Sequence, residues 1–161
     1  MKETLQKQMK ELEKLKKYYK LIKADENSYK NSVQVLGNDL PEELSSWLKI
    51  YNGGTLFGIS ILSTKNKVDG KFNKLLTFDE VNSKEMQDSI GIPVELKIFA
   101  QTSYGNYYCF ITDENTQNIY EYDIEEKALT VKWESFTGWL GEIIENAKND
   151  IKEGFLEELV D

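Results

Sequence analysis

The chain has 161 residues, a net charge of −8, twenty lysines, no arginine, no histidine and a single cysteine. Without histidine there is no Ser-His-Asp triad, Cys-His dyad or His-bearing zinc site, and without arginine no bidentate clamp on phosphate or guanine. The acidic balance argues against nucleic acid as a partner, no GxxxxGK[ST] or GxGxxG loop offers a cradle for nucleotide phosphates, and a lone Cys109 forms no intrachain disulfide.

The length suits one domain over 1–161 with a real core. The longest apolar runs are too short to span a bilayer, and no basic start leads into an apolar stretch. A cytoplasmic protein with no membrane partner is the expectation.

In chain order, Leu5, Met9, Leu12, Leu15, Tyr19 and Ile22 recur at steps of three and four, which predicts a long lysine-rich amphipathic helix over 1–23. Residues 1–23 hold eight lysines against three acids, a local charge of +5; the remainder carries −13. Such asymmetry fits a membrane-surface or nucleic-acid arm, or more plainly a solvated face whose lysines lie over an acidic body. Residues 24–38 have no clear period and read as a connection.

"LPEELSSWLKIYNGG" reads as a helix with Leu40, Leu44, Trp47, Leu48 and Tyr51 on one face, Asp39 as candidate cap and Pro41 in the first turn. Asn52-Gly53-Gly54 then supplies residues that tolerate left-handed backbone, a common helix stop. "TLFGISIL" follows as one buried strand. "STKNKVDGKFNK" is a polar turn region, and "FDEVNSKEMQDSIGIP" a short helix closed by Gly91 and Pro93.

A meander is predicted next: "LKIFAQT", a turn at Ser103, Gly105 and Asn106, "YYCFIT", the turn "DENTQN", "IYEYDIE", a turn at Glu126-Lys127, and "LTVKW". Ser135 is placed to cap a last helix with Phe136, Trp139, Leu140, Ile143, Ile144 and Ala147 on one face. The fold class is α+β: an antiparallel meander of about four to six strands flanked by N-terminal and C-terminal helices.

Candidate chemistry is sparse. "DENTQN" starts like a calcium loop with Asp113, Asn115 and Gln117. It lacks glycine at the sixth place and has Ile124 where the bidentate glutamate belongs, so no metal is expected. Cys109 lies in a strand apolar on both faces, as a small buried hydrophobe does. On a strand, Glu121, Asp123 and Glu125 face one way and Tyr120, Tyr122 and Ile124 the other. Three carboxylates in a row suit an acid/base pair for glycoside hydrolysis, a negative strip that meets a basic protein, or the solvated side of a half-buried sheet. Asp113 and Glu114, at the adjoining turn, extend the candidate contact.

The run "LPEELSSWLKIYNGG", the strand after it, the "YYCFITDENTQNIYEY" hairpin and the closing "WESFTGWLGEII" resemble the SUKH superfamily over about residues 35–147. That superfamily includes the fungal cell-wall assembly regulators and many bacterial immunity proteins. Its signature maps onto Leu40, Pro41, Trp47, Leu48, Asn52, Gly53 and Gly54, with Asp113 after the hairpin strand and Phe136 before the last helix. The resemblance implies an antiparallel sheet flanked by helices, no catalysis, no cofactor, and, for bacterial members, neutralisation of a toxin by direct binding. On that reading the partner is a toxin domain, for instance a basic nuclease; the alternative is a regulatory interaction module with no toxin partner.

Overall fold

A computed structural model describes residues 3–64, 77–112 and 114–159. The predicted polar turn region beyond Thr64 and the candidate Asp113 lie outside them. Seven strands form one sheet in sequence order, each antiparallel to the next: β1 (Tyr19–Lys23), β2 (Tyr51–Leu56), β3 (Ile59–Ile61), β4 (Leu96–Gln101), β5 (Tyr107–Ile111), β6 (Ile119–Asp123) and β7 (Ala128–Trp133). The helices are α1 (Glu3–Glu13), α2 (Glu26–Leu36), α3 (Glu42–Leu48), α4 (Phe78–Asn82), α5 (Lys84–Ile90) and α6 (Phe136–Lys152). The α+β meander is therefore present, with seven strands where the sequence suggested four to six.

The additional strands come from two places where local pattern misleads. The predicted 1–23 helix ends at Glu13, and Tyr19–Lys23 instead pairs with β2, Tyr19 opposite Leu56 and Leu21 opposite Gly54. Spacing of three and four continues through Tyr19 and Ile22, yet a helix there would leave the backbone edge of β2 unpaired. "TLFGISIL" is a hairpin rather than one strand. Phe57 (φ 53°) and Gly58 (φ 88°) make its two-residue turn, and both β2 and β3 flank it.

Residues 24–38 are not a connection either. Asp25 accepts from the Ser28 N–H at 2.7 Å while Ser28 Oγ accepts from the Asp25 N–H at 2.9 Å, a reciprocal cap that starts α2. Asp39 caps nothing: α3 begins after Pro41 with no side-chain cap. Ser135 does cap α6, accepting from the Gly138 N–H at 3.0 Å.

Asn52-Gly53-Gly54 lies inside β2 and does not terminate a helix; α3 has already ended at Leu48. Gly54 sits between Leu21 of β1 and Ile61 of β3 with φ 130°, and a Cβ there would lie 2.2 Å from the Lys20 carbonyl oxygen. Gly53 has φ 83°, and its Cβ would meet the Ser63 Cβ at 2.6 Å. Asn52 Oδ1 accepts from the Thr64 N–H and hydroxyl at 2.9 and 3.2 Å, tying down the chain beyond β3. The glycines exist so that three strands can close on one another.

The core centres on aromatic rings. Trp47 of α3 lies 5.6 Å from Phe136, and Trp139 of α6 lies 5.2 Å from both Phe99 and Tyr108. α1 packs on α6: Leu5 and Leu12 are fully buried, Gln8 donates to the Thr137 carbonyl at 2.7 Å, and Lys148 meets Glu11 at 2.7 Å. The lysine-rich helix is thus docked rather than a free arm. Where β3 is too short to pair all of β4, buried Asn82 substitutes for it. Its amide exchanges bonds of 2.7 and 2.8 Å with the Ile98 backbone.

Gly54→Ala is expected to cost ~3 kcal/mol or more, from strain at positive φ plus the clash with β1. Gly37→Ala, with φ 93° and open space around it, carries the strain alone and should cost ~1–2 kcal/mol. Equal losses in chemical denaturation would remove the close-approach account. Trp47→Ala, emptying a ring 2% exposed, should cost ~3–5 kcal/mol.

Candidate interaction surface

The β4–β5 loop and the end of β6 build a depression of about 620 Å³ lined by Tyr104, Asn106, Glu121, Asp123, Ile124 and Glu125. The loop is self-bracing: the Asn106 N–H donates to Thr102 Oγ1 and the Thr102 N–H to the Asn106 carbonyl, both at 2.8 Å. That fixes Asn106, whose Nδ2 donates to Glu121 at 3.1 Å and whose Oδ1 accepts from the Ile124 N–H at 3.3 Å.

Glu121 is not on a solvated strip. It is 8% exposed, opposite Tyr108 in the sheet, and its two oxygens each accept from the Tyr104 hydroxyl at 3.0 Å. Burial is affordable here because the Tyr104 hydroxyl proton, shared between the two oxygens, and the Asn106 amide replace water. Asp123 is half-buried and accepts from the Glu126 N–H at 2.9 Å; Glu125 is exposed. Glu121, Asp123 and Glu125 all line the depression, the first as floor and the others as wall. Alternation does not carry the set: β6 ends at Asp123, Glu125 lies in the turn beyond it, and Ile124, expected on the opposite face, lines the depression beside them. Among the described residues no basic side chain lines the depression.

Glu114 belongs elsewhere. It lies in the turn before β6, at the opposite end of that strand from Asp123, and accepts from the Tyr120 hydroxyl at 2.7 Å. A five-residue strand is about 17 Å long, so the turn does not adjoin the acidic wall.

Sequence reasoning missed Tyr104. Its ring is 68% exposed while its hydroxyl reaches a buried carboxylate, so an aromatic face is held out to solvent in one orientation. Burial of the hydroxyl end, and then the bond to Glu121, push its pKa up to about 12. Cys109 is fully buried, and burial likewise raises its thiol to about 12, which makes it a poor nucleophile. Among the described residues no group of three or more His, Cys, Asp or Glu side chains could hold a metal ion.

The signature residues form a separate, interior set. Pro41, Trp47, Leu48, Asn52, Gly53 and Gly54 are buried and Leu40 is half-buried. Trp47 packs on Tyr51 at 4.8 Å, seating α3 against β2. The model of the SMI1 / KNR4 family (SUKH-1) matches residues 23–142, from the end of β1 into α6. The chain belongs to this family. A comparison with curated proteins finds no match. The SUKH-1 match reaches further toward the N-terminus than the motifs alone indicated, taking in α2. Among the described residues no helix is long and apolar enough to cross a membrane.

The raised Tyr104 value has a sign. Below pH ~10 both folded and unfolded chains hold the phenol proton; as pH rises toward about 12 the unfolded chain releases it first, so this contribution to stability is lost over that window. Glu121→Gln should lower the Tyr104 titration, read as ultraviolet difference absorbance against Tyr104→Phe, yet leave it above ~10 because burial is the larger cause. An unmoved titration would remove the Glu121 bond from the account.

Proposed function

We propose that this SUKH-1 protein is a non-catalytic immunity protein, a single domain acting in the cytoplasm, that neutralises a toxin domain by binding it at the Tyr104–Glu125 depression. The observation that carries the reading is the combination of an exposed, oriented ring with a carboxylate floor and wall and, among the described residues, no lining cation. Family membership supports a protein partner. The −13 carried by residues 24–161 favours a basic one, such as a nuclease, because an acidic surface steers a basic one into encounter.

In this reading Asp123 and Glu125 set the rate of association, whereas Tyr104 is a contact of the kind that dominates binding energy, a rigid aromatic with a satisfied hydroxyl. Glu121 holds that ring in place from below.

The test is co-expression with the C-terminal domain of a neighbouring secreted reading frame, followed by binding kinetics on the purified pair. Rescue from toxicity with a stoichiometric complex is expected. The double change Asp123→Asn with Glu125→Gln should leave the melting temperature nearly unchanged, slow association about tenfold, and flatten its salt dependence. No complex with any neighbour would overturn the immunity reading, and binding indifferent to salt and to both changes would move the contact elsewhere.

A further inference from the structure

The two edges of the sheet are finished differently. β1 carries Lys20 and Lys23, is interrupted by a bulge between Leu21 and Lys23, and begins beside the C-terminal segment, where the Leu159 N–H donates to the Lys17 carbonyl at 2.8 Å. Charge, irregularity and cover are the means by which an edge strand is kept from pairing. β7 is exposed from Ala128 to Lys132, with the apolar side chains of Leu129 and Val131 37% and 41% exposed. Among the described residues nothing pairs with its outer edge.

We propose that β7 pairs antiparallel with β7 of a second copy, about a two-fold axis between Thr130 and Val131. The order of residues within the strand selects this register. Glu121 opposes Val131 and Tyr122 opposes Leu129, so Thr130 is an extra, bulged residue. The bulge puts Leu129 and Lys132, three apart, on one face of the sheet, with Tyr122 and Tyr120 as their neighbours. Ala128 and Trp133, opposite Asp123 and Ile119, share the other face.

With the axis between Thr130 and Val131, Leu129 meets Lys132 of the second copy, whose aliphatic stem covers it. Ala128 meets Trp133, small against large, and Lys127 meets Glu134. Each of these pairs occurs twice, and every pair lies on a common face. Among the described residues neither Lys127 nor Glu134 has an ion-pair partner within its own chain. Moving the axis onto Thr130 would set Glu126 against Glu134 and break the match of faces. A two-fold pairing uses up both β7 edges, and the guarded β1 edges end the assembly at two chains.

Sedimentation velocity and light scattering across a wide concentration range test this, with thermal melts to confirm that each variant is folded. A concentration-dependent dimer is expected. Lys127→Glu and Glu134→Lys each replace two attractive pairs with two repulsive ones and should weaken dimerisation about tenfold. An equimolar mixture of the two variants should regain the original affinity as a heterodimer, because each chain then offers the sign the other lacks. A monomer at every concentration, a dimer indifferent to both charge reversals, or a mixture no tighter than the single variants would overturn the proposal. The dimer is read on the isolated protein and the toxin reading by rescue and complex formation, so the two fail separately. Because Lys127 lies two residues from Glu125, toxin binding is measured with the Asp123 and Glu125 variants and not with Lys127→Glu.

Discussion

Five aromatic rings, from Trp47, Phe99, Tyr108, Phe136 and Trp139, meet where α3 and α6 lie on the sheet, with centroids 5.2–6.5 Å apart. Rings of this size bury more area per residue than any other side chain and lock in tilted and edge-on pairs. Through Phe136 and Trp139 this cluster sets α6, and through α6 it sets α1. Glu43, 7% exposed, adds a polar clamp across the same junction, accepting from the Thr137 N–H and hydroxyl at 3.3 and 3.2 Å. The strands that carry the depression are held flat against this support.

Among the described residues the seven strands pair only with their neighbours in sequence. Four of the six connections are hairpin turns that place the next strand directly, and α2–α3 and α4–α5 lie in the other two. The cost falls at the places where strands differ in length or crowd together. Gly54 and Gly53 relieve crowding at β2, bulges in β1, β4 and β7 absorb mismatched lengths, and Asn82 completes the bonding of β4. The signature residues of α3 and β2 are interior and help close the fold. They lie apart from the depression at the β4–β5 loop and the end of β6; Asp113, which belongs both to the signature and to the candidate contact, lies outside the described residues.

The electrostatics follow the same division. Lys20 and Lys23 lie on β1, at one edge of the sheet, and the acidic wall lies at the end of β6, about 24 Å away for strands at ordinary spacing. Several lysines of the N-terminal segment are engaged in ordinary exposed ion pairs with Glu3, Glu11 and Glu13. Pairs of this sort contribute little to stability.

The sequence by itself determined the excluded chemistries, the α+β class, the meander from β4 to β7, the Ser135 cap, the buried Cys109 and the interior of α6, because each depends on composition or on a periodicity within one element. It also placed Glu121 and Asp123 on one face of β6, since alternation along a strand is local; Glu125 joins them only through the turn that follows. Tertiary structure alone decided the rest. Tyr19–Lys23 became a strand because β2 needed a partner, and Asn52-Gly53-Gly54 became strand interior because β1 and β3 close on it from both sides. Glu121 became a buried floor because Tyr104 and Asn106, fifteen or more residues away, supply the donors that replace water. Spacing records what a segment repeats; it carries no trace of which distant group will occupy the space beside it.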